Sequence, residues 1–310
     1  MTTIGVDVGG TNIRAAWLDA PVHQRVHAPT STVGGSALAA RIADLVTPLL
    51  ATAQPEVVGI GVPGHVDAVE GTVRNAVHLG IGDDAHRLAG DVADRLGVAV
   101  VVENDARAAA LGALHLLRTD RPDLTDLVLL NLGTGVSAGI VVDGRLVRGH
   151  NGLAGEIGHA PFGNDTTPCT CGGVGCLDAI AGGGALARRL GDRAQRLFAT
   201  PSSSPAEANA FASTVAVALR QLAANHDPQL FVLGGGVARH AAPAIRAAVA
   251  EQSANSSFGT ILLTPDRIVT LSHGSEPGLV GAALLGRQQP SPAIQMTPPA
   301  PSGLSQGELQ

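Results

Sequence analysis

A chain of 310 residues, 45% hydrophobic and 15% charged with a net charge of −6, has room for a sizeable core and, at roughly 100 to 200 residues per domain, for two lobes. That balance excludes a disordered polymer and a cationic nucleic-acid binder. All twenty basic residues are arginine, and the lack of lysine excludes both a Walker A loop and a pyridoxal Schiff base.

The start, Met1 to Thr11, carries Asp7 and a glycine pair where a signal peptide would show a positive segment and an apolar run. No stretch reaches the ~18 apolar residues of a membrane span. Three cysteines, all between 169 and 176, cannot frame a disulfide fold, so a cytosolic protein with a metal-binding loop is expected. Ile4 to Val8 predicts a strand stopped by Gly9-Gly10, and Asn12 to Leu18 predicts its return as a hairpin. Helical patterns over Leu38 to Leu50 and Ala89 to Leu96 precede strands over Val57 to Val62 and Val98 to Val102, and another helix starts near Ala106.

Leu127 to Leu132, the turn Gly133-Thr134-Gly135, Val136 to Val142 and the turn Asp143-Gly144 before Arg145 to Arg148 repeat the opening scheme. The repetition predicts two related lobes facing each other. Helices over Ala181 to Phe198 and Phe211 to His226, a strand over Leu230 to Leu233 ending in Gly234-Gly235-Gly236, and a last helix over Gly278 to Arg287 complete the pattern. Residues 288–310, rich in proline, serine and glutamine, read as a disordered tail.

The run Gly133-Thr134-Gly135-Val136-Ser137-Ala138 matches the dinucleotide fingerprint in letters. It opens a strand rather than a helix, which the Rossmann turn does not allow. What remains, here and at Gly9-Gly10-Thr11, is a turn whose N–H groups and hydroxyl can face a phosphate, the alternative being two plain hairpins. Asp7, inside an apolar strand, reads either as a carboxylate awaiting magnesium or as a turn aspartate. Glu103-Asn104-Asp105, between a strand and a helix, supplies either a carboxylate that takes a proton from a hydroxyl nucleophile or an N-cap. His159 with Cys169, Cys171 and Cys176 fits a closed, structural Cys₃His zinc site. Zinc on one ring nitrogen of His159 leaves the other free for a ligand. Glu156 and Asp178 flank the cluster, either to bind a polyol or to support the metal loop.

Taken together, Asp7-Val8-Gly9-Gly10-Thr11, Val62-Pro63-Gly64, Glu103-Asn104-Asp105, Leu132-Gly133-Thr134-Gly135, Gly155-Glu156-Ile157-Gly158-His159, the cysteine cluster and Leu233-Gly234-Gly235-Gly236 resemble the ROK family of sugar kinases and repressors. The resemblance runs to about Arg287. It implies an α/β fold of the actin-like ATPase (ribonuclease H-like) type, with duplicated lobes and a cleft that takes ATP and magnesium. The smaller lobe would be residues 1–107 with the helix 278–287, and the larger, zinc-bearing lobe 108–277. By matching positions, Asp105 is the implied catalytic base, and Gly64, His78, Asn104, Asp105, Glu156, His159 and Asp178 form the acceptor set. Asp7, Gly9, Gly10, Thr11, Asn12, Gly133, Thr134 and Gly135 surround the phosphates, with Gly235 and Gly236 by the adenosine.

The implied activity is phosphorylation of the primary hydroxyl of a hexose or hexose-like polyol, as in glucokinase, by a homodimer or homotetramer. Partners would be the polyol and ATP, with no nucleic acid and no membrane. The family's repressors carry a helix-turn-helix ahead of the first Gly-Gly-Thr, for which residues 1–6 leave no room. Two positions depart from the family pattern: Asp178 replaces a glutamate, and Val77-His78-Leu79-Gly80-Ile81 stands where Pro-Asn-Leu-x-Trp is common. Both touch the acceptor, so a valiolone-type C7 cyclitol is an alternative substrate, and a sugar sensor without turnover is an alternative of another class.

Overall fold

The computed structural model describes residues 2–288 apart from 19–24, 31–33, 52, 164, 199–203, 255–256, 273 and 275. The expected tail, Gln288 excepted, lies outside the described residues. β1 (Thr3–Val8) and β2 (Asn12–Trp17) form the expected hairpin, and β3 (Val26–Pro29) adds a third antiparallel strand. α1 (Gly35–Leu50) leads into β4 (Val57–Val62), which lies parallel to β1. A two-stranded flap, β5 (His65–Asp67) and β6 (Thr72–Arg74), follows, then α2 (Leu88–Leu96) and β7 (Val100–Asn104), parallel to β4. The sheet order is β3-β2-β1-β4-β7.

α3 (Asp105–Leu117) crosses to a second sheet that repeats this plan. β8 (Leu127–Leu132), β9 (Val136–Val142) and β10 (Arg145–Leu146) are its antiparallel meander. α4 (Leu177–Ala181), α5 (Gly183–Leu190) and α6 (Pro205–His226) precede β11 (Leu230–Gly234). α7 (Gly236–Ala254) and α8 (Gly259–Leu262) precede β12 (Ile268–Thr270). Both late strands run parallel to β8, giving the order β10-β9-β8-β11-β12. Two meanders extended by parallel strands, each reached through helices, bear out the duplicated α/β architecture. α9 (Pro277–Leu284) then returns to the first sheet, packing on β1 and β4.

Alternation decides which face meets which layer. Ile4, Val6 and Val8 point into a core with Leu38, Ile42 and Val46 of α1, while Gly5 and Asp7 face α9. A second core joins Val128, Leu130 and Phe231 to α6 and α7. The third lies between the sheets, where Leu111 and Leu114 of α3 meet Leu127, Leu129 and Leu284. α3 and α9 cross at backbone contact: a methyl on Gly112 would run into the Pro277 carbonyl, and one on Gly281 into that of Ala108. No helix among the described residues is long and apolar enough to cross a membrane.

Several expectations need correction. The helix expected over 181–198 is broken into α5 and a 3₁₀ helix of two turns at Gly191–Arg196, its first expected residue, Ala181, being instead the end of α4. The glycine run 182–184 and Gly191 interrupt it. The helix expected from Phe211 begins at Pro205, where proline suits a first turn. β7 runs two residues later than the strand expected over 98–102, so its end delivers Asn104 itself. The last helix is regular only to Leu284, with a tighter turn over Leu285–Arg287.

Candidate active site

β4 and β7 run in parallel with Val62 opposite Asn104. Pro63-Gly64 and Asn104-Asp105 therefore leave the sheet side by side, at the carboxyl end where ligands collect in α/β sheets. Asn104 caps α3, its Oδ1 accepting from the N–H groups of Ala106 and Arg107 at 3.0 and 3.3 Å. Its Nδ2 donates to the Gly64 carbonyl at 3.2 Å. The N-cap reading of this triplet is realised, and one amide proton of Asn104 is left over. Asp105 opens the helix, its Oδ1 accepting from Ala106 N at 2.9 Å. Burial pushes its carboxyl up to about 6, and the nearby charges of Asp7 and Glu156 push in the same direction. A carboxyl so poised can take a proton near neutrality.

Asp7 stands on β1 opposite Arg14 of β2. Burial raises its carboxyl above the usual range, with Arg14 opposing and Glu276 adding to the rise. Arg14 Nη1 lies 3.4 Å from Asp7 Oδ2, and its Nε 3.6 Å from Glu276. Gly278, in the first turn of α9, leaves room there, since a methyl would come within 2.9 Å of Asp7 Oδ1. The Asp7 carboxylate, partly exposed beside Arg14, is an oxygen donor of the kind a magnesium ion takes, although Arg14 and the start of α9 both favour an anion there.

Gly9 closes the first turn by donating to Asn12 O at 2.9 Å, and Thr30 Oγ1 braces it through Gly9 O at 2.7 Å. Gly10 and Thr11 stay exposed. Asn12 Nδ2 donates to Thr11 Oγ1 at 3.2 Å. In the second turn Gly133 N donates to Gly135 O at 3.0 Å and Thr134 is exposed. The glycine run after α4 holds this turn from behind, with Gly183 N on Gly133 O at 2.9 Å and Gly184 N on Thr134 O at 2.8 Å. Gly235 lies against the Leu132 carbonyl, and Gly235 and Gly236 are exposed at the start of α7. Gly182, Gly183 and Gly184 were not expected at this site. Three successive glycines inside a helical pattern were the signal for them.

The residues expected to meet the acceptor begin on the segment after β10. Gly155, at φ +95° where a methyl would strike the Ala138 carbonyl, accepts at its own carbonyl from Ala138 N at 2.8 Å. It seats Glu156 and the turn Ile157–His159 against β9. Asp178 Oδ1 accepts from Val136 N at 2.7 Å, so one of its oxygens is engaged by the protein. His78 is exposed on the turn Val77–Leu79, two residues past Ala76, against which Gly64 packs.

The ligand atoms of His159, Cys169, Cys171 and Cys176 all lie within 4.8 Å of one another. A zinc tetrahedron with Zn–S of about 2.3 Å has edges of about 3.8 Å. Cys171 Sγ and Cys176 Sγ are 3.7 Å apart, and Cys169 Sγ is 3.9 Å from His159 Nδ1. Burial and the other sulfurs push the Cys176 thiol up to about 12, a penalty a cation would reverse. With Nδ1 toward the sulfurs, Nε2 of His159 is the nitrogen left for a ligand.

The ROK family model matches residues 3–289. A glucokinase of Halalkalibacterium halodurans is 30% identical, with 92% of this chain and 95% of that protein covered. An N-acetylmannosamine kinase of Citrobacter koseri is 30% identical over 93% of this chain and 99% of that protein. Among solved structures, a ROK glucokinase of Streptomyces griseus in complex with glucose and AMPPNP superposes with a TM-score of 0.75 at 30% identity, covering 93% of this chain and 100% of that one. The two repeated sheets are thus the lobes of an actin-like ATPase fold, and the chain belongs to the ROK family.

Proposed function

We propose that this protein is an ATP-dependent kinase for the primary hydroxyl of a hexose or hexose-like polyol. The observation that carries the reading is Asp105, a carboxyl raised to about 6 at the end of β7, beside Asp7 and Glu156. Asp105 takes the hydroxyl proton as that oxygen bonds to the γ-phosphorus, and the bond to the β,γ-bridging oxygen breaks to release ADP. Asn104, Glu156, His159 and Asp178, with Gly64 and His78 at the rim, hold the acceptor. Gly9 to Asn12 and Gly133 to Gly135 meet the phosphates through backbone N–H groups, and Gly235 with Gly236 borders the adenosine. The S. griseus relative, solved with glucose and AMPPNP, supports a sugar and a nucleotide as the two substrates.

Magnesium would sit by Asp7 and supply charge compensation at the phosphates, which this lysine-free chain otherwise leaves to arginine and backbone dipoles. Zinc held by His159, Cys169, Cys171 and Cys176 would fix the His159 ring. Free thiols throughout suit a reducing, cytosolic setting. The partition into residues 1–107 with the last helix, and 108–277, describes the bodies that would close over the substrates, in a homodimer or homotetramer.

Glucose is the first acceptor in this reading. Asp178, shorter than the family's glutamate and engaged by Val136 N, favours including a C7 cyclitol of the valiolone type. The test is ADP release coupled to a reporter, with glucose, mannose, fructose, N-acetylmannosamine and such a cyclitol. Acceptor-dependent release with one of them supports the kinase. Tight binding without release would replace it by a sugar sensor.

A further inference from the structure

Among the described residues Arg107 is the largest fully buried side chain, 1% exposed, and none of the roles above uses it. It lies one helical turn past Glu103, whose carboxylate is equally buried. Glu103 Oε1 accepts from Arg107 Nε at 2.7 Å and from Asn104 N at 2.8 Å, and Oε2 accepts from Arg148 Nε at 2.5 Å. The other end of the guanidinium reaches across to the second lobe, where Arg107 Nη1 donates to Gly152 O at 2.7 Å. One residue away, His65 Nδ1 accepts from Arg74 Nε at 2.8 Å, which leaves the proton on Nε2 to donate to Asn151 O at 2.6 Å. Residues 148–152 are thereby tethered at three points, to β5 and β7 of the first lobe and to the first turn of α3.

Buried ion pairs seldom stabilise more than apolar groups of the same volume, because desolvating both charges offsets their attraction. What an arginine provides that a leucine cannot is direction: a planar fork that fixes two acceptors in one geometry. Here the two acceptors are the carboxylate just before Asp105 and a carbonyl four residues before Glu156. We infer that Arg107 is a positioning residue, setting the distance between Asp105 and the loop that presents Glu156 to the acceptor. The base and the group that aims the acceptor wall then ride on the same first turn of α3. This inference rests on the acceptor-binding reading of Glu156.

Arg107→Lys keeps a positive charge beside Glu103, so the variant should fold, but a lone ammonium lacks the planar fork by which Nε and Nη1 hold Glu103 Oε1 and Gly152 O in one geometry. Arg107→Gln removes the charge as well. Hydrogen exchange over residues 149–156 should quicken in the lysine variant while β8 and β11 keep wild-type protection. With glucose as acceptor, its KM should rise about tenfold and kcat fall by roughly ten- to a hundredfold, the scale of a misplacement near 1 Å, with the KM for ATP within about twofold. Wild-type exchange over 149–156 in Arg107→Lys, or an equal rise in both KM values, overturns the inference. Should the wild-type protein phosphorylate no acceptor, the kinase reading falls, and the exchange comparison still decides the role of Arg107.

Discussion

Asp178, in the first turn of α4, accepts at Oδ1 from the backbone N–H of Val136, the first residue of β9, at 2.7 Å. The bond ties the helix that follows the last cysteine to the strand leaving the Gly133-Thr134-Gly135 turn, and so would couple the proposed acceptor wall to a proposed phosphate turn. Asp178→Ala should therefore raise the KM for ATP as well as for the acceptor, each roughly tenfold, the scale of a hydrogen bond to a charged group. Asp178→Glu should alter acceptor preference more than ATP affinity. Steady-state kinetics with both substrates varied checks the pair.

The raised carboxyl of Asp105 has two consequences of opposite sign. Activity should climb with pH through about 6 and vanish below it, because the base must be ionised. Magnesium-nucleotide would draw that limb lower through its charge. Asp105→Asn should reduce kcat by about 10² to 10⁴ and leave binding largely intact. The pH–rate profiles of the two proteins test this.

Stability should move the other way. The folded-state value of about 6 lies above the ordinary aspartate value of 3.8, so the folded protein holds that proton more tightly. Its contribution is intact below the unfolded value and lost as pH rises through the folded one. Asp105→Asn should then be more stable than wild type at pH 8, by on the order of 2 kcal/mol, and equal to it near pH 3.5. Urea unfolding at both pH values measures the difference.

One zinc per chain should be found by elemental analysis, and Cys169→Ser should lower both the zinc content and the midpoint of thermal unfolding. Because a metal held there would orient His159, the KM for the acceptor should rise roughly tenfold or more in that variant. The KM for ATP should change little.

At Gly112 and Gly281 the α3–α9 crossing leaves no room for a side chain. Gly281→Ala would push a methyl into the Ala108 carbonyl and should cost roughly 1–3 kcal/mol of stability, read by denaturant unfolding.

Much of the site was legible because its chemistry sits at punctuation marks in the chain. Asp7 and Asp105 end or follow apolar runs, and the cysteines crowd one loop. Tertiary pairing was not legible. Nothing near Arg107 announces that its partner is a carbonyl 45 residues on, and Arg14 meets Glu276 only because α9 returns to β1. Among the elements, α7 was missed because Gly236 and Pro243 disguise a helix whose face of Ala238, Ala241, Ala242 and Ile245 is buried. β3, β5, β6 and β12, at four residues or fewer, are held by their neighbours more than by their own pattern.

At the crossing of α3 and α9 the main chains touch at Gly112 and Gly281, while Leu111, Leu114 and Leu284 interleave beside them. Close-packed on both counts, the joint leaves no slack for one helix to slide along the other. Any swing of one sheet relative to the other would therefore have to turn about this point as a fixed pivot.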